Sequence, residues 1–303
     1  MQTPSGDGPT GGARDPIEER IVGRARDLGG FEVRRVLPAH ERQRVGPFIF
    51  FDHFGPISFG PGQGMDVRPH PHIGLATVTY LFDGEIVHRD SLGSRQPIRP
   101  GDVNWMVAGQ GIVHSERTSA DVRARGGRLH GLQCWVALPT DAEEVAPRFE
   151  HHPGASLPVV RRRGATLRVI AGSAYGLNAP TGVLSPTLYV DVELDAGAEV
   201  PVDGEHQERA VYVIEGSLAC DGQRIEPGVL TVLRAGATPS LAADAPARAV
   251  LIGGAPLAGP RHIEWNFVSS SRERLEQAKS DWRERRFPTV PGDDKERIPL
   301  PGE

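Results

Sequence analysis

The sequence predicts an all-β chain of two tandem antiparallel barrels with one C-terminal helix. Three observations carry this prediction. Short β-rich stretches bounded by Gly, Pro, Asn or Asp recur from Ile21 onward. The same order of strands and turns returns once in the second half of the chain. A single segment after Ser270 has the spacing of an amphipathic helix instead.

The repeat is clearest in its turns. Gln96-Pro-Ile-Arg-Pro-Gly101 matches Gln223-Arg-Ile-Glu-Pro-Gly228, and Ala108-Gly109 matches Ala235-Gly236 without a gap. The repeat unit is far longer than the roughly 20–50 residues of a solenoid repeat. We therefore expect two copies of one small barrel domain.

The C-terminal helix has a start signal and a buried face. Ser270-Ser-Arg-Glu273 fits a Ser-x-x-Glu capping box, in which the two side chains bond the free N–H groups of the first turn. Leu275, Ala278 and Trp282 then fall on one side of a helix. We expect this face to pack on a barrel, and the chain after Phe287-Pro288 to be extended.

These features divide the chain into four parts. The first is polar and rich in Gly and Pro, so it cannot bury enough apolar surface to offset its chain entropy and is expected to be disordered. The predicted parts are a tail at 1–17, a first barrel at 18–140, a second barrel at 141–262, and a helix with an extended tail at 263–303.

Composition excludes several classes of protein. The formal net charge is −5 and the isoelectric point is about 6.1, which argues against direct nucleic-acid binding. No apolar run approaches the roughly 20 residues that span a bilayer, and the N-terminus lacks the apolar core of a secretory signal. Cys134 and Cys220 lie far apart and do not form a disulfide framework. We expect a cytoplasmic protein that does not bind membranes.

One group of residues has side chains that can bind a metal ion. It consists of Arg68-Pro-His70-Pro-His72-Ile-Gly74 and, after a hairpin, Gly111-Ile-Val-His114-Ser-Glu116. Side chains two residues apart on a strand point to the same face, so His70 and His72 form one pair and His114 and Glu116 another. If both strands line one barrel interior, three imidazoles and a carboxylate converge. That donor set suits Fe(II), Mn(II), Ni(II), Cu(II) or Zn(II), and suits Ca²⁺ or Mg²⁺ poorly.

The alternative is that these are polar residues on a solvated strand face, and the repeat tests it. Carried forward, His114 and Glu116 correspond to Leu241 and Ala243. Carried back, His70 and His72 fall near Val202 and Gly204, with His206 close by. The second copy keeps the turns but none of the four ligands. Because the scaffold does not need them to fold, we predict one metal site in the first barrel.

At this point the chain is identified as resembling the pirin family of the cupin superfamily. The resemblance implies two double-stranded β-helix, jelly-roll-type cupin barrels. In that family the N-terminal cupin binds iron through residues that match His70, His72, His114 and Glu116, and the C-terminal cupin is metal-free. Fe(II) is therefore the expected metal, with Mn, Ni, Cu and Zn as alternatives. The matching stretches are 47–56, 70–81, 100–116 and 130–139.

The chain departs from the family at two positions near the ligands. Ala76 stands where the family often has Glu, and Ile73 where it often has Arg. A Glu would be a natural partner for orienting a ligand histidine. By their nearness to the motif, Gln133, His130 and Asn104 are candidates to take that place, and a purely structural role for each is an equal alternative.

The resemblance implies two functions of different kinds. Pirins resemble flavonol dioxygenases, in which a small aromatic, flavonol-like substrate and O₂ react at the metal and the central ring opens with loss of CO. Glu116 would then be a permanent ligand or the catalytic base for the substrate hydroxyl, and the sequence leaves both open. The alternative is a metal-dependent or redox-sensing regulator that acts through a protein partner. An open cavity over the metal would favour catalysis, and a plugged one would favour sensing.

Overall fold

The protein is described from a computed structural model that covers residues 15–27 and 31–303. The predicted all-β architecture of two barrels with a C-terminal helix is confirmed. Residues 1–14 of the predicted tail lie outside the described residues. Strands are numbered in chain order, and each barrel consists of one large and one small antiparallel sheet.

The first barrel contains the predicted ligands. Its large sheet has, in spatial order, β12 (Arg148–His152), β9 (Val103–Val107), β6 (Leu75–Asp83), β11 (Gly127–Ala137), β4 (Phe48–Phe59), β3 (Glu32–Leu37) and β2 (Arg24–Asp27). Its small sheet has β5 (Asp66–His72), β10 (Ile112–Arg117), β7 (Ile86–Asp90) and β8 (Arg95–Ile98).

The second barrel repeats this plan. Its large sheet has β1 (Ile17–Val22), β21 (Val229–Leu233), β18 (Glu208–Glu215), β23 (Ala247–Gly254), β16 (Thr187–Leu194), β14 (Ala165–Ala174) and β13 (Val159–Arg162), and β15 (Leu177–Asn178) pairs with β14. Its small sheet has β17 (Ala198–Pro201), β22 (Ser240–Ala243), β19 (Leu218–Cys220) and β20 (Gln223–Ile225).

The two halves exchange one edge strand each. β1, from the N-terminal end of the chain, pairs with β21 of the second barrel. β12, which follows the first barrel in sequence, pairs with β9 of that barrel. Strand pairing therefore crosses the predicted division at residue 140. The boundaries between the four parts stay a prediction.

The large sheets of the two barrels pack against each other. One apolar cluster joins residues of both halves, among them Phe51, Tyr80, Tyr189 and Tyr212. The Tyr80 hydroxyl donates to Asp191 Oδ2 across this interface at 2.7 Å. Buried polar groups are nearly always hydrogen-bonded, so this bond between Tyr80 and Asp191 helps to fix one barrel against the other.

The C-terminal segment packs on the first barrel. A hairpin of β24 (His262–Glu264) and β25 (Phe267–Ser269) leads into α2 (Arg272–Arg283), whose buried side chains are the predicted Leu275, Ala278 and Trp282. The N-cap is Ser271, one residue later than the Ser270 of the predicted capping box. Ser271 Oγ accepts the backbone N–H of Arg274 at 3.3 Å. After Pro288 the chain has neither helix nor strand.

Three short elements were not predicted from the sequence. α1 (Ala120–Arg125) is a six-residue helix capped by Ser119, and the turns Thr140–Ala142 and Gly154–Ser156 are 3₁₀-helical. None of the three has a fully buried side chain, so no apolar periodicity marks them.

Candidate metal centre

The predicted ligands lie on the inner face of the small sheet of the first barrel. β10 is a central strand of this sheet, between β5 and β7, and His114 on it lies opposite His70 of β5 and Asp90 of β7. β5 is an edge strand, which explains how it can contain Pro69 and Pro71. A proline has no N–H to donate, and an edge strand has one side without a ladder.

Three histidines meet at one point. One ring nitrogen from each of His70, His72 and His114 lies within 4.8 Å of the others. Nε2 of His72 and Nε2 of His114 are 3.1 Å apart. The three side chains are buried, at 7%, 1% and 1% exposure. The strand-spacing rule therefore brings these residues together as the sequence analysis predicted.

Backbone carbonyls fix the tautomer of two of these rings. His70 Nδ1 lies 2.9 Å from the carbonyl oxygen of Arg68, and His72 Nδ1 lies 3.0 Å from that of Asn266. A carbonyl oxygen only accepts hydrogen bonds, so each Nδ1 carries the proton. Each Nε2 then has a free lone pair. Asn266 precedes β25, so the C-terminal segment takes part in building the site.

The third ring is fixed by a pair of residues that the sequence analysis missed. His88 Nε2 lies 3.0 Å from Asp90 Oδ2, so this nitrogen donates and His88 Nδ1 is an acceptor. His114 Nδ1 lies 3.5 Å from His88 Nδ1, a long contact in which His114 donates. Nε2 of His114 then also has a free lone pair. The relay runs from Asp90 through His88 to His114, and it resembles the carboxylate–histidine pairs that orient metal ligands.

The relay is buried and well supported. His88 is 2% exposed and Asp90 0%. The imidazole of His88 stacks flat on Phe149, with centroids 4.2 Å apart and 8° between the planes. Asp90 Oδ1 accepts the backbone N–H groups of Leu92 and Ser94 at 2.9 and 3.0 Å. Burial raises the pKa of Asp90, but the hydrogen bond from His88 and the weaker contribution of Ser94 outweigh it and hold this pKa below its usual value.

These residues fit a divalent transition metal. Three neutral imidazoles present lone pairs to one another, and two acceptor nitrogens at 3.1 Å repel unless a cation lies between them. A proton on one of these nitrogens is a poor substitute for the cation. Burial lowers the pKa of His70 to about 4 and puts those of His72 and His114 well below their usual range. Two nitrogens that each lie about 2.1 Å from one ion can be as close together as the 3.1 Å observed.

Glu116 stands slightly apart from the histidine triad. Its carboxylate shares a 4.8 Å cluster with His114 and His88, not with His70 and His72. Thr79 donates its hydroxyl proton to Glu116 Oε1 at 3.0 Å. Burial raises the pKa of Glu116. The four predicted ligands thus form two overlapping groups that share His114.

Only one of the three predicted supporting residues reaches this network. The Gln133 side chain is 2.8 Å from the Thr79 hydroxyl, and with its amide turned to donate it passes a hydrogen bond through Thr79 to Glu116. His130 is 2.7 Å from His53 instead, and Asn104 is 2.8 Å from His151. Ala76 and Ile73, the two departures from the family pattern, are fully buried apolar side chains.

The second barrel shows what the same positions look like without a site. By strand register, Leu241 of β22 lies opposite Val200 and Cys220, as His114 lies opposite His70 and Asp90. The structural counterpart of His70 is therefore Val200, two residues from the position that the sequence comparison gave. The counterparts of His70, His72, His88, Asp90, His114 and Glu116 are the buried residues Val200, Val202, Leu218, Cys220, Leu241 and Ala243. His206 lies elsewhere and contacts the Ser173 carbonyl.

A cavity of about 750 Å³ opens onto the site. Its lining includes His70, His72 and Glu116. One wall is the stacked pair Phe50 and Trp135, with ring centroids 4.0 Å apart and 12° between the planes. The volume lies within the roughly 300–1,000 Å³ of small-molecule sites. The cavity is therefore large enough for a flat aromatic ligand beside the ring nitrogens of His70 and His72.

Comparisons with known proteins agree with this picture. Residues 30–136 match the family model described as Pirin, and residues 189–288 match the Pirin C-terminal cupin domain. A pirin-like protein of Caulobacter vibrioides is 50% identical over 281 residues, covering 92% of this chain and 97% of the relative. Human pirin is 33% identical, covering 90% and 93%. A crystal structure of quercetin 2,3-dioxygenase from Acinetobacter baumannii superposes with a TM-score of 0.88 at 32% identity, covering 94% and 95%. In the described part of the chain no helix is long and apolar enough to cross a membrane.

Proposed function

The chain belongs to the pirin family, and from this premise we propose that it is a metal-dependent dioxygenase that cleaves a flavonol-type substrate with O₂. The observation that carries the proposal is the convergence of three Nε2 lone pairs at the end of an aromatic-walled cavity. The similarity to the Acinetobacter baumannii quercetin 2,3-dioxygenase supports the substrate class.

We propose that His70, His72 and His114 hold one divalent transition metal, Fe(II) before Mn, Ni, Cu or Zn, and that Glu116 is the fourth donor. When bound, the metal would lower the pKa of a hydroxyl that coordinates it and supply the chemistry with O₂. Burial keeps the three imidazoles neutral. The carbonyls of Arg68 and Asn266, with the His88–Asp90 pair, hold the rings in the orientation that leaves each Nε2 free.

Glu116 is the group in the cavity suited to take the substrate's hydroxyl proton. It lines the cavity, and burial raises its pKa toward the range in which a carboxylate is an effective base. Thr79 limits the positions of the carboxylate by its hydrogen bond. Phe50 and Trp135 offer a flat apolar wall that orients an aromatic ring and excludes water from the reacting atoms.

The rival function is a regulator that acts through a protein partner. A cavity of about 750 Å³ that reaches three of the four predicted ligands supports catalysis over sensing, because a sensor needs no space for a substrate. We also propose a cytoplasmic location, in keeping with the free thiols of Cys134 and Cys220.

The test is O₂ uptake by the Fe(II)-reconstituted protein with quercetin. We expect uptake with loss of the flavonol absorbance, and neither in the His70→Ala, His114→Ala double variant. A His40→Ala variant, changed on the surface far from the triad in sequence, should behave as the unmodified protein. No uptake despite about one bound iron per chain would refute the dioxygenase and favour the regulator.

A further inference from the structure

The mouth of the cavity over the metal centre carries an excess of positive charge. Four guanidiniums line it: those of Arg24, Arg26, Arg35 and Arg68. This local excess of positive charge contrasts with the whole chain, which has 34 basic and 39 acidic side chains and is therefore negative overall. A cluster of one sign at a cavity of low polarity focuses the electric field and attracts ligands of opposite charge.

The carboxylates that line the cavity do not neutralise this charge. Asp66 is already held by Arg117 and Arg123, at 3.3 and 2.8 Å. Glu116 faces the metal centre. Only Asp52 remains, and it forms a two-pronged ion pair with Arg35, at 2.8 and 2.7 Å.

Three arginines are therefore left without a carboxylate of their own. Arg24 donates to the Pro38 carbonyl at 2.7 Å, which leaves its charge uncompensated. Within the described residues, no ion pair joins Arg26 or Arg68 to a carboxylate. Arg26 acts on Asp52 through its charge, but both oxygens of Asp52 are bound by Arg35. Arg26 sits on β2 and Arg68 on β5, so they approach the cavity from different sheets of the barrel.

We infer that the substrate of this site is an aromatic molecule that carries an anionic group, a carboxylate or a sulfonate-like oxyanion, away from the oxygens that face the metal. This inference rests on the proposed function and narrows it. The aromatic part lies against Phe50 and Trp135. The anionic part lies at the mouth, where guanidiniums make charge-assisted, two-pronged bonds to planar oxyanions. A neutral flavonol fills the same cavity and leaves these arginines unused.

The test compares two probes that differ by one anionic group, quercetin and quercetin-5′-sulfonate. The sulfonate lies on the pendant phenyl ring, and not on the ring that carries the 3-hydroxyl and the 4-carbonyl. Binding is measured anaerobically on the Fe(II)-loaded protein by quenching of tryptophan fluorescence, at low and at high salt. We expect the sulfonate to bind at least about tenfold more tightly at low salt, and this preference to shrink as salt screens the charges.

Two double variants locate the effect. Arg26→Gln, Arg68→Gln should abolish the preference by weakening the binding of the sulfonate. Arg161→Gln, Arg163→Gln removes the same charge from exposed positions that do not line the cavity, and should keep the preference. Equal affinity for the two probes, or a preference that survives loss of Arg26 and Arg68, overturns the inference.

Aerobic turnover separates this inference from the proposed function. O₂ uptake with quercetin and no preference for the sulfonate would overturn the anionic substrate and keep the dioxygenase. A preference that depends on Arg26 and Arg68, without O₂ uptake for either probe, would keep the anionic aromatic ligand and refute the dioxygenase. Failure of the loaded protein to bind either probe would overturn both.

Discussion

Replacing His88 by Phe tests whether the Asp90–His88 pair sets the metal affinity of the triad. Phe keeps a flat ring that can stack on Phe149, which now lies 4.2 Å from the imidazole. It removes the acceptor for His114 Nδ1 and the donor for Asp90 Oδ2. His114 loses the partner that fixes its tautomer, so Nε2 is no longer held as a free lone pair.

The expected loss follows from these two bonds. Removing a partner that orients a metal-bound histidine typically costs about 10–100-fold in metal affinity, which is about 1.4–2.7 kcal/mol. We expect the upper part of this range because His114 is 1% exposed and no water can replace the lost acceptor. Asp90 keeps its two backbone donors, from Leu92 and Ser94, so the metal-free protein should still fold.

The assay is competition for Zn(II) against a chromophoric chelator, because Zn(II) is redox-silent and reports binding alone. His88→Gln is the rescue variant, since its amide offers both a carbonyl acceptor and an NH₂ donor. It should recover part of the affinity. Phe149→Leu is the packing control, since it removes the stacked ring and keeps the relay. It should remain near the affinity of the unmodified protein.

One result would refute the reasoning. If His88→Phe folds normally by circular dichroism and binds Zn(II) as tightly as the unmodified protein, the 3.5 Å contact between His88 and His114 is packing and does not select the tautomer. An equal loss in Phe149→Leu and His88→Phe would also contradict it, since that would assign the effect to the stacked ring.

Three further predictions concern the base, the barrel interface and the C-terminal segment. Glu116→Gln should lower metal affinity about tenfold and should lower the rate of quercetin turnover by a much larger factor. If affinity and turnover fall by the same factor, Glu116 is not the base. Burial lowers the pKa of His53 to about 3 in the folded protein. As the pH falls below about 6.5, His53 is protonated in the unfolded chain but not in the folded one. The free energy of unfolding should therefore decrease, by up to about 1.4 kcal/mol per pH unit. Urea unfolding between pH 6.5 and 4 should be less pH-dependent in His53→Gln and unchanged in the exposed control His40→Gln, and identical slopes would contradict this. Gly74→Ala should lower the melting temperature and reduce the free energy of unfolding by about 2 kcal/mol or more. The reason is that φ of Gly74 is +67° and an added Cβ would lie 2.0 Å from the Val268 carbonyl oxygen. An unchanged melting temperature would show that β25 does not need this close approach.

The sequence predicted the fold class well because turns and strand periodicity are local. Asp83-Gly84 and the other turn signals mark where strands end, and the repeat shows that the pattern occurs twice. The exchange of β1 and β12 could not be predicted in the same way. Which edge a strand joins depends on the path of the connecting chain in space, and nothing in the six residues of β1 encodes the second barrel.

The convergence of the histidine triad was predictable because strand geometry alone places His70 beside His72. The His88–Asp90 pair has the same spacing of two and was overlooked, although carrying the repeat through β7 would have marked it: its counterparts, Leu218 and Cys220, are apolar. The partner of His72 could not be predicted. Asn266 is 194 residues away in the sequence, and it contributes only a backbone carbonyl, which every residue has.

The two barrels together argue that the polar cluster exists for chemistry. Six buried polar positions of the first barrel are apolar in the second, while both keep the same strand order. Burying polar groups costs free energy unless every one is paired, so a barrel that needed only to fold would carry the second set. Within the histidine cluster the Nδ1–H groups of the triad and the Asp90 carboxylate have partners, whereas the triad's Nε2 lone pairs face one another. A cation at that point would satisfy all three nitrogens at once.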